Sequence, residues 1–305
     1  MGKIAFLFPG QGAQVAHMGQ DIYESFAEAK EIYNLASEAS GLDVPNLCFT
    51  ENDELNITEY TQTALLATEI AILKVVLSKG IKPDFAAGLS LGEYGAVSTA
   101  GAISDRDLFA LIRKRGIFMQ EAYPVGGAMM AVLGLDADTI ARICEETEGI
   151  VSIANDNCPG QIVITGEEKA VMAAGEKLSE AGAKRCVPLK VSGPFHSALL
   201  EGAADLLSEE LKNVDISEIK VPYISNVNAE VITESSQIKE LLAKQVCSQV
   251  RFRETILLLK ELGVDTFVEI GPGKTLAGFV KKTDKELTVI NISTVEDLAK
   301  LDELV

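Results

Sequence analysis

The stretch "FAAGLSLGEYGAVS", residues 85–98, decides how this chain folds: a short apolar run, the five residues Gly88-Leu89-Ser90-Leu91-Gly92, and a segment of small residues. Strand, tight turn and helix form the context in which a serine between two such glycines becomes a presented nucleophile. The glycines permit a sharp turn without Cβ clashes, which pushes the Ser90 hydroxyl outward at the carboxyl edge of a sheet. The same turn directs the Leu91 amide, at the start of the following helix, towards an oxyanion formed there. The motif alone is weak evidence, since a glycine-flanked surface turn has the same spelling.

The surrounding pattern supplies the sheet. "KIAFLFPGQG" near the N-terminus is a continuous apolar run stopped by Pro9-Gly10, as a strand buried on both faces of a parallel sheet requires. "TQTALLATEIAILKVVLSKG" reads as a buried crossover helix interrupted by Glu69 and Lys74 and stopped at Gly80, and not as a membrane span. The middle of the chain changes character. "GAMMAVLGL", "DTIARICEET", "GIVSIANDN", "GQIVITGE", "EKAVMAAGEKLSEAG" and "AKRCVPLKVS" alternate as strand, helix, strand, strand, helix, strand, a ferredoxin-like βαββαβ order. Helices and strands of the first kind then resume, with "VPYISNV" and "VDTFVEIG" as strands. The expectation is an α/β chain whose large domain, residues 1–122 and 191–305, carries a ferredoxin-like subdomain at 123–190.

Composition narrows the function. The 305 residues carry 27 basic and 45 acidic side chains, a net charge of −18, which disfavours a nucleic-acid role, since phosphate neutralisation needs a basic face. Five cysteines without a C-x-x-C pair or nearby histidines indicate neither a disulfide framework nor a metal site. The apolar run Ile4–Phe8 is too short for a signal peptide, which leaves the cytoplasm as the expected compartment, with no membrane association.

A serine hydroxyl attacks well only when a base accepts its proton, and the chain has two histidines. His17, in "VAHMGQD", reads as a surface or capping residue. His196, in "KVSGPFHSALLEGA", stands where the chain leaves the small subdomain, turns at Gly193-Pro194 and starts a helix for which Ser197 is a candidate N-cap, so it can face the serine turn. No acid stands out to orient it. Two other motifs fail: "EIGPGKTLAG" lacks the first glycine of a phosphate loop, having Val268 there, and "GQGAQV" lacks the third small residue of a dinucleotide fingerprint.

Taken together, "FPGQGAQ", "TQTALLA", "GLSLGEY", "RGIFMQEA", "GPFHSALL", "KQVCSQVRF" and "EIGPGKTLAGF" resemble, in order and spacing over about residues 3 to 290, the malonyl-CoA:acyl carrier protein transacylases. The resemblance implies an α/β-hydrolase-like large domain and an active site in the cleft between it and the small subdomain. It implies Ser90 as nucleophile, His196 as base, the Gln245 backbone carbonyl as orienter of the histidine, and the Gln11 and Leu91 amides as the oxyanion donors. Arg115 matches the arginine that binds the malonyl carboxylate, and a planar guanidinium suits that task. Asn155 matches a cleft-lining loop, and Phe195 matches a residue that goes with malonyl over methylmalonyl in related polyketide acyltransferases. Leu89 departs from the family, which usually has histidine before the nucleophile.

The partners so implied are malonyl-CoA and acyl carrier protein, with no metal or redox cofactor. An acidic carrier on an acidic enzyme needs a local basic patch, for which Lys184, Arg185, Lys190, Lys281 and Lys282 are candidates. The rival readings are a serine thioesterase or acylhydrolase, a stand-alone acyltransferase of a polyketide synthase, and an idle carrier-binding scaffold.

Overall fold

The N-terminal apolar run forms β1 (Lys3–Phe8), and its alternating side chains enter two different cores: Phe6 and Phe8 pack on one side of the sheet, Ala5 and Leu7 on the other. Because both faces are covered, the strand is apolar without a break. The computed structural model describes residues 2–191 and 193–304. In chain order its further strands are β2 (Phe85–Gly88), β3 (Gly127–Leu133), β4 (Val151–Cys158), β5 (Gln161–Glu167) and β6 (Arg185–Pro188). They are followed by β7 (Tyr223–Ile224), β8 (Val231–Ile232), β9 (Val264–Ile270) and β10 (Thr288–Ile292).

The strands make two sheets. The larger runs β10-β9-β1-β2-β7-β8, with parallel pairing throughout except for the β7–β8 hairpin. The smaller runs β4-β5-β3-β6 and is antiparallel. Its helices Ala137–Glu145 and Glu168–Glu180 bury Ile140, Ile143, Val171 and Leu178 in a separate core with Met130 and Val132. The backbone of β4 is also stitched to the large sheet's side of the molecule, where the Val250 amide donates to the Ala154 carbonyl at 2.8 Å and the Asp156 amide to the Val250 carbonyl at 2.9 Å. Strands β8 and β10 were not anticipated. The first is two residues long, too short to show a period.

Helix Thr58–Ser78 is long and apolar enough to cross a membrane, but it is buried along most of its length and packs against helices Ala27–Ser40 and Asp105–Ala122. It ends as expected, with Gly80 at φ 87° turning the chain away. Helix Thr275–Thr283, which follows the rejected phosphate-loop motif, already has an anion at its N-terminus. The Glu269 carboxylate accepts from the amides of Leu276 and Ala277, both at 3.0 Å. Five free cysteines are present, none of them paired.

One buried acid stands out. Glu69 is fully enclosed in helix Thr58–Ser78, neither carboxyl oxygen has a partner among the described residues, and Glu269 lies near it. Burial first, then the Glu269 charge, hold its carboxyl well above the usual range. The folded chain therefore keeps a proton that the unfolded chain releases, so stability is fully present below about pH 4.5 and is lost as the pH rises. Glu69→Gln has no such proton. Its stability relative to the parent protein should rise between pH 5 and pH 8 in urea unfolding; a constant difference would show that Glu69 ionises alike in both states.

Candidate active site

Ser90 follows the last residue of β2 and has φ 54°, the left-handed region that is costly for any residue with a Cβ. The flanking glycines are fixed by crowding. A Cβ on Gly88 would lie 2.0 Å from the Gly92 backbone, and one on Gly92 would lie 2.0 Å from the Phe8 carbonyl oxygen. The turn is then tied from a distant segment: the Ser90 amide donates to Asn226 Oδ1 at 2.7 Å, and Asn226 Nδ2 donates to the Gly88 carbonyl at 2.7 Å. Gln245 Nε2 donates to the Ser90 carbonyl at 2.8 Å.

His196 Nε2 lies 2.7 Å from Ser90 Oγ, across 106 positions of sequence. Its Nδ1 faces two backbone carbonyls, Gln245 at 2.9 Å and Ser248 at 3.1 Å. Carbonyls only accept, so Nδ1 must carry the proton and Nε2 is left with a lone pair aimed at the serine hydroxyl. Burial, and next the charge of Arg115, push the imidazole down to about 4, against the pull of the two carbonyls. It is therefore neutral, and able to accept a proton, over the whole physiological range. Ser197 does not cap the next turn as expected; its hydroxyl donates back to the Pro194 carbonyl at 2.6 Å. His17 is exposed and its Nδ1 lies 3.0 Å from Gln20 Oε1 at the start of a helix.

The Leu91 amide opens helix Gly92–Ala100, and Gln11 lies in the turn after β1. Among the described residues neither backbone amide has an acceptor, and both residues line the same cavity as Ser90. Two free amides beside a nucleophile can stabilise a tetrahedral oxyanion.

Arg115 is 1% exposed, on helix Asp105–Ala122. Its Nη1 donates to Gln62 Oε1 at 2.6 Å, and its Nη2 donates to Gln245 Oε1 at 2.8 Å and reaches Ser90 Oγ at 3.3 Å. The guanidinium also lies over the Tyr94 ring at 5.4 Å. All these neighbours are neutral, and among the described residues no carboxylate pairs with it directly. A buried cation near the Ser90 hydroxyl, with no carboxylate in direct contact among the described residues, can hold an acyl group that ends in a carboxylate.

The cavity has a volume of 260 Å³ and is walled by apolar side chains, Met119, Met129, Leu189 and Phe279 among them. Phe195 and Leu89 also line it. Asn155 does too, but it lies on β4 and not in a loop, because its backbone bridges in parallel to Val250. Gln161, at the cavity's edge, accepts from Lys282 Nζ at 2.9 Å. Lys184, Arg185 and Lys190 are exposed, whereas Lys281 Nζ is engaged by the carbonyls of Lys285 and Leu287. Asn226, Gln62 and Glu93 were not singled out from sequence. The only signal for Asn226 was a polar residue at the end of "YISN", after a strand of two residues.

The chain belongs to the acyl transferase family, whose domain model matches residues 5–302. Within it, the malonyl CoA-acyl carrier protein transacylase of Bacillus subtilis (strain 168) is 49% identical over 303 residues, 98% of this chain and 96% of the relative. The crystal structure of MCAT from Streptococcus pneumoniae superposes with a TM-score of 0.95 at 46% identity, covering 99% of this chain and 100% of that one. A complex of a type II PKS acyl carrier protein with its malonyl-transacylase gives 0.96 at 39% identity, over 99% of this chain and 100% of that one.

Two outcomes follow from the geometry. Acylation of Ser90 by an acyl-CoA, followed in single turnovers, should be level with pH through 5 to 6.5 and fall about tenfold per unit below 4, where His196 becomes charged. Asn226→Ala should slow the same step on the order of 10²-fold by releasing the strained turn; an unaltered rate would show that the turn holds itself.

Proposed function

We propose that the protein transfers the malonyl group of malonyl-CoA to the phosphopantetheine thiol of an acyl carrier protein through a malonyl-Ser90 intermediate, supplying extender units for fatty acid synthesis. The observation that carries the reading is Arg115, a buried guanidinium 3.3 Å from the Ser90 hydroxyl that no carboxylate touches directly among the described residues.

In the first half-reaction His196 Nε2 takes the Ser90 proton as Oγ bonds to the thioester carbon, and the amides of Gln11 and Leu91 receive the oxyanion. The carbon–sulfur bond then breaks and His196 returns the proton to the leaving sulfur, so coenzyme A departs as its thiol. The second half-reaction reverses the roles: His196 deprotonates the carrier's thiol, sulfur attacks the serine ester, and Ser90 recovers its proton. Neither half consumes an electron, so the chemistry calls on no redox cofactor.

Arg115 would hold the malonyl carboxylate while Phe195 and the methionines of the wall limit the space at the α-carbon. Lys282, Lys190, Lys184 and Arg185 would receive the acidic carrier at the mouth. In this reading residues 1–122 and 191–305 form an α/β-hydrolase-like domain and residues 123–190 a ferredoxin-like subdomain, the βαββαβ order and the sheet order β4-β5-β3-β6 supporting the latter. Both substrates belong to the cytoplasm, which we take as its compartment.

Intact-mass spectrometry after brief exposure to malonyl-CoA should show one malonyl adduct, absent in Ser90→Ala and discharged when acyl carrier protein is added. An adduct lost to water at the same rate without carrier would make the protein a hydrolase. Arg115→Ala should lower the preference for malonyl-CoA over acetyl-CoA by roughly 2 to 4 kcal/mol in kcat/KM, the scale for removing one partner of a buried charged pair. An unchanged ratio would remove Arg115 from the carboxylate site.

A further inference from the structure

Glu93 is a fully buried carboxyl directly behind the serine turn, and no step of the transfer uses it. It sits in the first turn of helix Gly92–Ala100, and every element around it contributes a polar or charged group. From helix Ile238–Gln245, Gln245 Nε2 donates to Glu93 Oε2 at 2.6 Å. From the turn after β7, the Asn226 amide donates to the same oxygen at 3.3 Å, and the Ser225 hydroxyl is close enough to favour the ionised form. From helix Asp105–Ala122 comes the field of Arg115; Tyr94 and Tyr223 are near and are kept neutral by their own burial. Glu93 Oε1 has no hydrogen-bond partner among the described residues.

These contacts form one line. The Gln245 side chain has its oxygen on Arg115 Nη2, at 2.8 Å, and its nitrogen on Glu93 Oε2, at 2.6 Å, so a single amide separates the buried cation from the buried carboxyl. Since the amide cannot be turned over without setting N–H against N–H and oxygen against carboxylate, Glu93 fixes the orientation in which Gln245 serves Arg115. We propose that Glu93 is a positioning residue that acts as the counter-anion of Arg115 while the pocket is empty, and that arrival of an acyl carboxylate at Arg115 is coupled to uptake of one proton from solvent by Glu93 Oε1.

The charge balance requires this. With the pocket empty, Arg115 and ionised Glu93 sum to zero. A carboxylate on Arg115 adds one negative charge beside two buried groups, where an uncompensated charge is costly, and a proton on Glu93 restores the balance. Oε2 keeps both of its N–H donors, and the unpartnered Oε1 is the oxygen free to be protonated. Burial already pushes the Glu93 carboxyl up to about 7 against the pull of Gln245, Asn226 and Arg115, so little further change is needed near neutral pH. The sign is definite: carboxylate loading weakens as the pH rises through that value, because above it the proton must be drawn from an ever scarcer supply.

The inference rests on the malonyl reading, and the test separates the two. Acyl transfer itself releases no net proton while coenzyme A leaves as a thiol, so wild-type protein mixed with excess malonyl-CoA in weakly buffered indicator dye at pH 7 reports Glu93 alone. A substantial fraction of one proton should be taken up per serine acylated. In wild type kcat/KM for malonylation should fall about tenfold per pH unit above 7, and Glu93→Gln should take up no proton and show a level profile from pH 6 to 8. Acylation without proton uptake, or a Glu93→Gln profile that keeps the wild-type slope, overturns the coupling and leaves the malonyl reading intact. Absence of a malonyl adduct in the wild-type protein overturns both. Should Glu93→Gln fail to fold, the wild-type dye measurement decides the matter by itself.

Discussion

A serine held at φ 54° costs on the order of 1 to 3 kcal/mol, and it persists only where its surroundings leave no alternative. Here the alternative is removed from both sides. Gly88 and Gly92 allow backbone to approach within distances that a Cβ would occupy, and Asn226 ties both the amide after the turn and the carbonyl before it. His196 has a similar backbone, φ 61°, and its amide is held by the Val246 carbonyl at 3.2 Å. Both side chains are therefore positioned by the chain itself, and their 2.7 Å contact does not depend on flexible side-chain torsions alone.

Gln245 connects everything that has to be in register. Its backbone carbonyl receives His196, its side-chain oxygen receives Arg115, and its side-chain nitrogen reaches the Ser90 carbonyl and Glu93. One residue at the end of a helix thus reports the position of the proposed nucleophile, base and carboxylate clamp to one another. A buried network of this kind is stiff, because losing any member leaves a further polar group unpaired.

What the sequence disclosed and what it withheld divide along the same physical line. Ser90 and His196 were legible because their chemistry is rare in this chain and because glycines and a proline mark the turns that present them. Strands β1 to β6 were legible because burial on both faces gives a short continuous apolar run and burial on one face an alternation. Asn226 and Glu93 carry no such mark: each means something only through a partner more than 130 positions away, and a polar residue after a short strand looks like any loop. Gln62 is similar, a polar residue within an apolar helix that is explained only by Arg115 crossing above it. Asn155 fell in the strand "GIVSIANDN" by pattern and in a loop by the resemblance; its pairing with Val163 and its bridge to Val250 keep it in β4.

The absence of an acid behind His196 also follows from Arg115. A carboxylate within hydrogen-bond distance of the imidazole would lie in the same dry pocket as the guanidinium and would compete for it with an incoming acyl carboxylate. Two backbone carbonyls fix the imidazole tautomer equally well and add no charge. The consequence is a weak base, pushed down to about 4 by burial and by Arg115 itself, yet one that is unprotonated at neutral pH and already in contact with the hydroxyl it is proposed to activate. A thioester is reactive enough for such a base, provided the oxyanion is received by fixed donors, and the amides of Gln11 and Leu91 are available for that purpose. Moving the one carboxyl of the site to Glu93, behind an intervening amide, keeps its charge near enough to balance Arg115 and too far to occupy it.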